Sequence, residues 1–146
     1  MFISFATFAA MSRPKHNRCI SSPPIMLGYK PFGIPSRVLE CIYLHFDEYE
    51  TLRLLDYEGL NQEDAAVRMV ISRPTLTRIY ESARKKIATA FVEGKTIRIE
   101  GGEITFDKAW FRCKHCHRLV SDIGAKLECT KKCSINNSEL EPIHGK

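Results

Sequence analysis

The chain has 146 residues, 44% hydrophobic and 27% charged, with a net charge of +5. That length builds one domain, or one domain with a small appendage, and the apolar share suffices for a core. No apolar run approaches the roughly 18–20 residues that cross a bilayer, and the apolar start MFISFATFAA lacks the positive charge of a signal peptide, so membrane and secreted classes are set aside and the expected location is cytoplasmic.

Charge is segregated along the sequence. Met11 to Lys30 carries four basic residues and no acid, Pro31 to Asp64 sums to −6, and Ala65 to Lys95 to +5. Such a distribution suggests a one-sided electrostatic footprint. Residues 1–11 are expected to be a disordered extension, with the patterned sequence opening at Met11. Residues 12–35 start with the basic arm SRPKHNRC and continue through a Pro- and Gly-rich stretch expected to wrap the domain without adding a layer. The arm is either a polar terminus or a phosphate-binding or minor-groove arm. Ser36 to Phe46 reads equally as a short helix or a strand, with Cys41 as a core thiol and His45 as a structural or surface histidine. Asp47 and Glu50 have capping-box spacing at the start of a helix that Gly59 stops; Tyr49, Leu52, Leu54 and Leu55 give its apolar stripe. Its carboxylates Glu48, Glu50, Asp56 and Glu58 read as a solvated acidic face.

Leu60 to Phe91 reads as two helices joined by a tight turn, a helix-turn-helix pattern within a domain spanning residues 36–95. Asn61 caps the first helix, Glu63 and Asp64 suit its positive end, and Ala65, Ala66 and Met69 make a small apolar face. The pattern lapses at Val70-Ile71. Ser72 is a second N-cap, followed by Pro74, which a first helical turn tolerates. Leu76, Ile79 or Tyr80, Ala83, Ile87 and Phe91 then recur at helical spacing, while Arg73, Thr75, Thr77, Arg78, Ser82, Arg84, Lys85 and Lys86 occupy the outer face. A charged outer face is most often simply solvated. Here its helix follows a short turn, carries base-reading residue types early and cations late, and so points to DNA.

After the helices, TIRIEGGEITFD (residues 96–108 as a unit with Lys108) reads as a β-hairpin. A Gly101-Gly102 turn would place Ile99 opposite Ile104 and Ile97 opposite Phe106, all on one face. It would serve as a lid on the helical core, or less readily as a wing at DNA, since Glu100 and Glu103 near its tip repel phosphate. Residues 109–146 hold four of the six cysteines as two close pairs, Cys113/Cys116 and Cys129/Cys133. This spacing can bring four thiolates to one tetrahedral zinc, the expected cofactor, in a small knuckle. His115, His117 or His144 could replace a cysteine.

The run SRPTLTRIYESARKKIA, with LNQEDAAVRM before it and GIPSRVLE, EYETLRLLDYEGL and SRPKHNRC upstream, resembles a prokaryotic family known as domain of unknown function 134. Those proteins look like the fourth region of sigma factors, a helix-turn-helix that meets promoter DNA. The resemblance covers about Met11 to Gly102 and implies that fold and DNA binding. One departure is Val70, where such turns usually have glycine; a β-branched residue resists the left-handed conformation, so a wider or slightly strained turn is expected.

The expected architecture is therefore mainly α: a sigma region-4-like helix-turn-helix core, a small β-hairpin and a C-terminal zinc knuckle. The expected function is sequence-specific binding of double-stranded DNA in transcriptional regulation. Arg73, Thr75, Thr77 and Arg78 would enter the major groove, with Ser82 on the same face. Arg84, Lys85 and Lys86, together with Arg13, Lys15 and Arg18 of the arm, would hold the backbone. The alternative is a protein-interaction module docking on transcription machinery. An enzyme is disfavoured, because a closed four-thiolate zinc site leaves no open coordination position. Homodimerisation is left open: helix-turn-helix regulators often dimerise, whereas sigma-like domains can act singly.

Overall fold

The structure, a computed structural model, describes residues 17–121 and 140–144. Strands β1 (Arg18–Ile20), β2 (Gly28–Tyr29) and β3 (Cys41–Leu44) come first, with a 3₁₀ turn at Ser36–Val38 between the last two. Helix α1 (Phe46–Leu52) runs on into a π-helical turn, Arg53–Tyr57, and is followed by α2 (Gln62–Met69) and α3 (Arg73–Glu93). Strands β4 (Thr96–Ile99), β5 (Ile104–Phe106), β6 (Trp110–Cys113), β7 (Leu119–Val120) and β8 (Leu140–Ile143) complete the described elements.

This is not the mainly α fold with a hairpin and a zinc knuckle that the sequence suggests. The described residues hold three α-helices and eight strands arranged in three small sheets. β4 is the centre of a mixed sheet, antiparallel to β2 and parallel to β3 in the register Cys41 opposite Thr96 to Leu44 opposite Ile99. Adjacent parallel strands need a crossover, and α1, α2 and α3 together supply it. With both edges of β4 taken, the Gly101-Gly102 turn cannot fold it back on β5. The two glycines, at φ 75 and 105, instead carry the chain to a second sheet in which β5 lies parallel to β1. The expected burial survives even though the pairing does not: Ile99 and Ile104 are both buried. The Pro- and Gly-rich stretch likewise does add a strand, β2, because Gly28 lets the backbone approach Ile97; a Cβ there would lie 1.9 Å from the Ile97 carbonyl oxygen.

The third sheet, order β7-β6-β8 and antiparallel throughout, stands where the knuckle was expected. Cys113 is fully buried at the end of β6, packed with Val120 and flanked by Phe111 and Leu140, while Cys116 is exposed in the following turn. Among the described residues no three His, Cys, Asp or Glu side chains are grouped to hold a metal ion. Cys129 and Cys133 lie outside the described residues, as do Arg13 and Lys15. Over its described residues this segment forms a sheet with its own small apolar cluster.

Two clusters make the main core. Leu54, Ala65, Ala66, Met69 and Leu76 pack α2 against the π-helical turn and the start of α3. Leu44, Ala83 and Ile99 seat α3 on the mixed sheet. Phe91 does not join the apolar seam: it is 88% exposed, and Ala90 takes the inward position. Cys41, expected in the core, is exposed on the edge strand β3. Among the described residues no helix is long and apolar enough to cross a membrane.

Candidate nucleic-acid interface

The local signals for α2 and α3 act as the sequence implies. Asn61 Oδ1 accepts the Asp64 amide at 2.8 Å, and Ser72 Oγ accepts that of Thr75. Between them Val70 sits in the left-handed region at φ 56, ψ 44, so the turn closes in three residues at a cost in strain. At 1.5 Å per residue the 21 residues of α3 span about 31 Å.

Around α3 the candidate residues divide into an outer ridge and two flanks. Arg78 and Lys85 stand exposed on the ridge, with no ion pair or hydrogen bond among the described residues. On the flank facing α2, Arg73 is exposed and pairs with Glu63 at 2.9 Å, Thr77 Oγ1 donates to Gln62 Oε1 at 3.0 Å, and the Arg84 guanidinium lies 5.4 Å from the Tyr80 ring centroid. The Tyr80 hydroxyl donates to Asp56 at 2.6 Å, which raises its pKa. Thr75 shares a 2.8 Å hydrogen bond with Ser72.

The flank facing α1 is different. Ser82 Oγ donates to Glu48 Oε1 at 2.6 Å, Lys86 Nζ to Glu48 Oε2 at 2.7 Å, and Arg18 Nη1 of β1 to Asp47 Oδ2 at 2.7 Å. Of the four acids read as a solvated face, Asp56 and Glu58 are exposed, but Glu48 and Glu50 are buried, at 6% and 1% exposure, with Asp47 beside them at 5%. Burial works against the Glu48 charge, yet the bonds from Lys86, Ser82 and the His45 amide outweigh it and hold the carboxyl below its ordinary range. Glu50 takes a bidentate bond from Arg53 at 2.7 and 2.8 Å, with Ser21 donating as well, and Arg53 also pairs with Glu58. The helix cap is His45, two residues before the expected Asp47; its amide donates to Glu48 Oε2 at 2.8 Å, while the Glu48 amide donates to Asp47 Oδ1 at 3.0 Å. Sequence reasoning missed this network because Asp47, Glu48 and Glu50 meet partners 29 to 38 residues away. Only Glu50–Arg53, three apart on one helical face, was legible locally.

The same elements enclose an open-mouthed cleft of about 460 Å³ beside the ridge, with Arg18, Thr75, Arg78, Ser82 and Lys86 on its walls and Asp47 and Glu48 behind them. On the far side of α3 a second groove of about 650 Å³ is lined mainly by apolar side chains, among them Ile25, Tyr29, Tyr49 and Tyr57. In the C-terminal sheet, His115 and His117 lie exposed in the turn between β6 and β7 and His144 follows β8; Cys113, His117 and His144 border one cleft of about 560 Å³, but among the described residues no three such side chains are grouped to hold a metal ion.

Comparison with known proteins places the chain in a family. The model described as "Protein of unknown function DUF134" matches residues 8–107. A UPF0251 protein of Moorella thermoacetica is 43% identical over 122 residues, covering 83% of this chain and 82% of its own. One from Caldanaerobacter subterraneus subsp. tengcongensis is 51% identical over 92 residues, 63% of this chain and 78% of its own, and one from Pelotomaculum thermopropionicum is 36% identical over 132 residues, 90% of this chain and all of its own. No solved structure matches. Matched over most of its length by the family model and by these relatives, the chain belongs to the DUF134 family, whose curated members are called UPF0251 proteins.

Proposed function

We propose that this protein binds double-stranded DNA sequence-specifically, as a transcriptional regulator, with α2 and α3 acting as a sigma region-4-like helix-turn-helix. The observation that carries the reading is the outer ridge of α3. It follows a three-residue turn and presents Arg78 and Lys85 without a partner among the described residues, with Arg73 and Arg84 exposed beside them. Unpaired guanidinium and ammonium groups on a helix that fits the major groove are what base edges and phosphates need. Three other candidates change role in this reading. Arg18, Ser82 and Lys86 are tied to Asp47 and Glu48, so they first set the position of α3; Arg18 and Lys86 reach DNA through their remaining donors, whereas Ser82 has spent its single O–H on Glu48.

Selection of bound duplexes from a randomised pool tests the proposal, with enrichment of a motif as the expected result. On the enriched site, Arg78→Ala relaxes preference at one base pair by roughly 1–3 kcal/mol, whereas Lys85→Ala weakens all sequences alike. Equal losses for Arg78→Ala on specific and random DNA remove its assigned role. A second reading, docking on transcription machinery, draws on the apolar groove and the exposure of Ile25 (79%) and Tyr57 (87%). Salt separates the two: DNA affinity falls steeply as salt rises, and an apolar protein contact does not.

A further inference from the structure

The cleft between α1, β1 and α3 has an unusual hydrogen-bonding balance. Each carboxylate oxygen of its back wall is already an acceptor: Asp47 Oδ2 from Arg18, Asp47 Oδ1 from the Glu48 amide at 3.0 Å, Glu48 Oε1 from Ser82, and Glu48 Oε2 from Lys86 and the His45 amide. The cations in front of them are not used up. Arg18 commits one of its five N–H donors to Asp47, and Lys86 one of its three to Glu48. Their side chains keep 26% and 29% exposure, toward a space that Arg78 also borders. Three cations against two carboxylates leave the lining at +1.

We propose that this cleft seats one phosphate group, held by the remaining donors of Arg18 and Lys86, with Arg78 at its mouth. A phosphodiester carries a single negative charge and only acceptors, the complement of a donor-rich lining of charge +1. If α3 lies in a major groove about 12 Å wide, a helix some 10–12 Å across fills it and its flanks meet the sugar–phosphate walls. The cleft lies on such a flank. A backbone phosphate as the source of the group therefore rests on the DNA-binding reading; a free phosphorylated ligand is the other source of the same chemistry. Asp47 and Glu48 act as positioning residues, since they aim the cations without touching the phosphate.

Two measurements on the full chain test the seat. In the first, the Arg18 Nε signal is followed by NMR during titration with inorganic phosphate against sodium chloride at equal ionic strength, and a saturable shift specific to phosphate is expected. In the second, duplex affinity is measured against salt for the native protein and for the paired variant Arg18→Gln/Asp47→Asn, which removes the ion pair as a unit and so leaves no buried charge unpaired. The log–log slope should shrink by about 0.9 in the variant, the loss of one phosphate contact. A phosphate shift without duplex binding, or with an unchanged slope, assigns the seat to a free phosphorylated ligand; in the former case the DNA reading fails while the seat stands. Duplex binding with an unchanged slope and no phosphate shift overturns the seat while leaving the DNA reading intact.

Discussion

Glu48 shows how much of this molecule turns on one side chain. Its two oxygens accept from Ser82, Lys86 and the His45 amide, joining the middle of α3 to the first turn of α1. Because its folded pKa lies below the unfolded value, it contributes stability that is present above the ordinary carboxyl range and lost as pH falls through the folded pKa. Glu48→Gln keeps the shape but supplies an amide donor where Lys86 needs an acceptor. We expect a loss of about 1–3 kcal/mol at neutral pH and a melting temperature that declines less steeply than the native one as pH drops below 5. Parallel pH profiles for the two proteins would show that Glu48 is not the titrating link. None of this was legible from Glu48 itself. Acids spaced along a short helix look alike whether water or a cation meets them, and the cations that meet Asp47 and Glu48 stand far off in the chain, at Arg18 and Lys86. What was legible was the residue chemistry of α3, because Arg78 and Lys85 project from one helix whose period the sequence displays.

At the scale of elements, the caps of α2 and α3 and the turn between them were readable because they are local. Asn61 and Ser72 bond amides three residues on, and Val70 takes the left-handed geometry that its position in the turn demands. That geometry strains a β-branched residue by roughly 1–2 kcal/mol, and Val70 is 70% exposed, so little burial offsets the strain. Val70→Gly is therefore expected to raise stability by about 1 kcal/mol after the entropy of a more flexible unfolded chain is subtracted, read as a higher denaturation midpoint with an unchanged slope. A lower midpoint would mean that the Val70 side chain contributes contacts worth more than its strain. The strands were not readable in the same way. Their alternation correctly marked Ile99 and Ile104 as inward, but alternation names a face and never a partner. β4 pairs with β3 across the whole helical segment and β5 with β1 across most of the chain, and those long-range choices consumed the edges that a local hairpin would have used.

Seen whole, the molecule uses its acidic segment to brace its basic one. Asp47 and Glu48 absorb Arg18 and Lys86 beneath α3, while Arg78 and Lys85 are left facing outward, so the charge segregation of the sequence becomes layered in space. The C-terminal sheet joins this body through Arg112. Its Nη2 donates to the Pro24 carbonyl at 2.8 Å, and its Nη1 to those of Ile25 at 3.1 Å and His117 at 3.2 Å. Its partners among the described residues are carbonyls and not an acid, and burial lowers the pKa of this guanidinium. Three charge-assisted bonds lost together, with the Pro24, Ile25 and His117 carbonyls left behind, should cost about 1.5–3 kcal/mol in Arg112→Ala. The cost should fall unevenly, because the cluster that β6, β7 and β8 share among the described residues, Cys113 with Val120, is small. Trp110, the single tryptophan of the chain, begins β6 and lies under Lys108 at 4.9 Å, so its fluorescence reports on this sheet alone. In Arg112→Ala its emission should move to the red and amide exchange should quicken over residues 110–120 while α3 stays protected. Equal loss of protection in α3 would mean that the C-terminal sheet and the helical body unfold as one unit, and that Arg112 braces the whole fold rather than a joint between two parts of it.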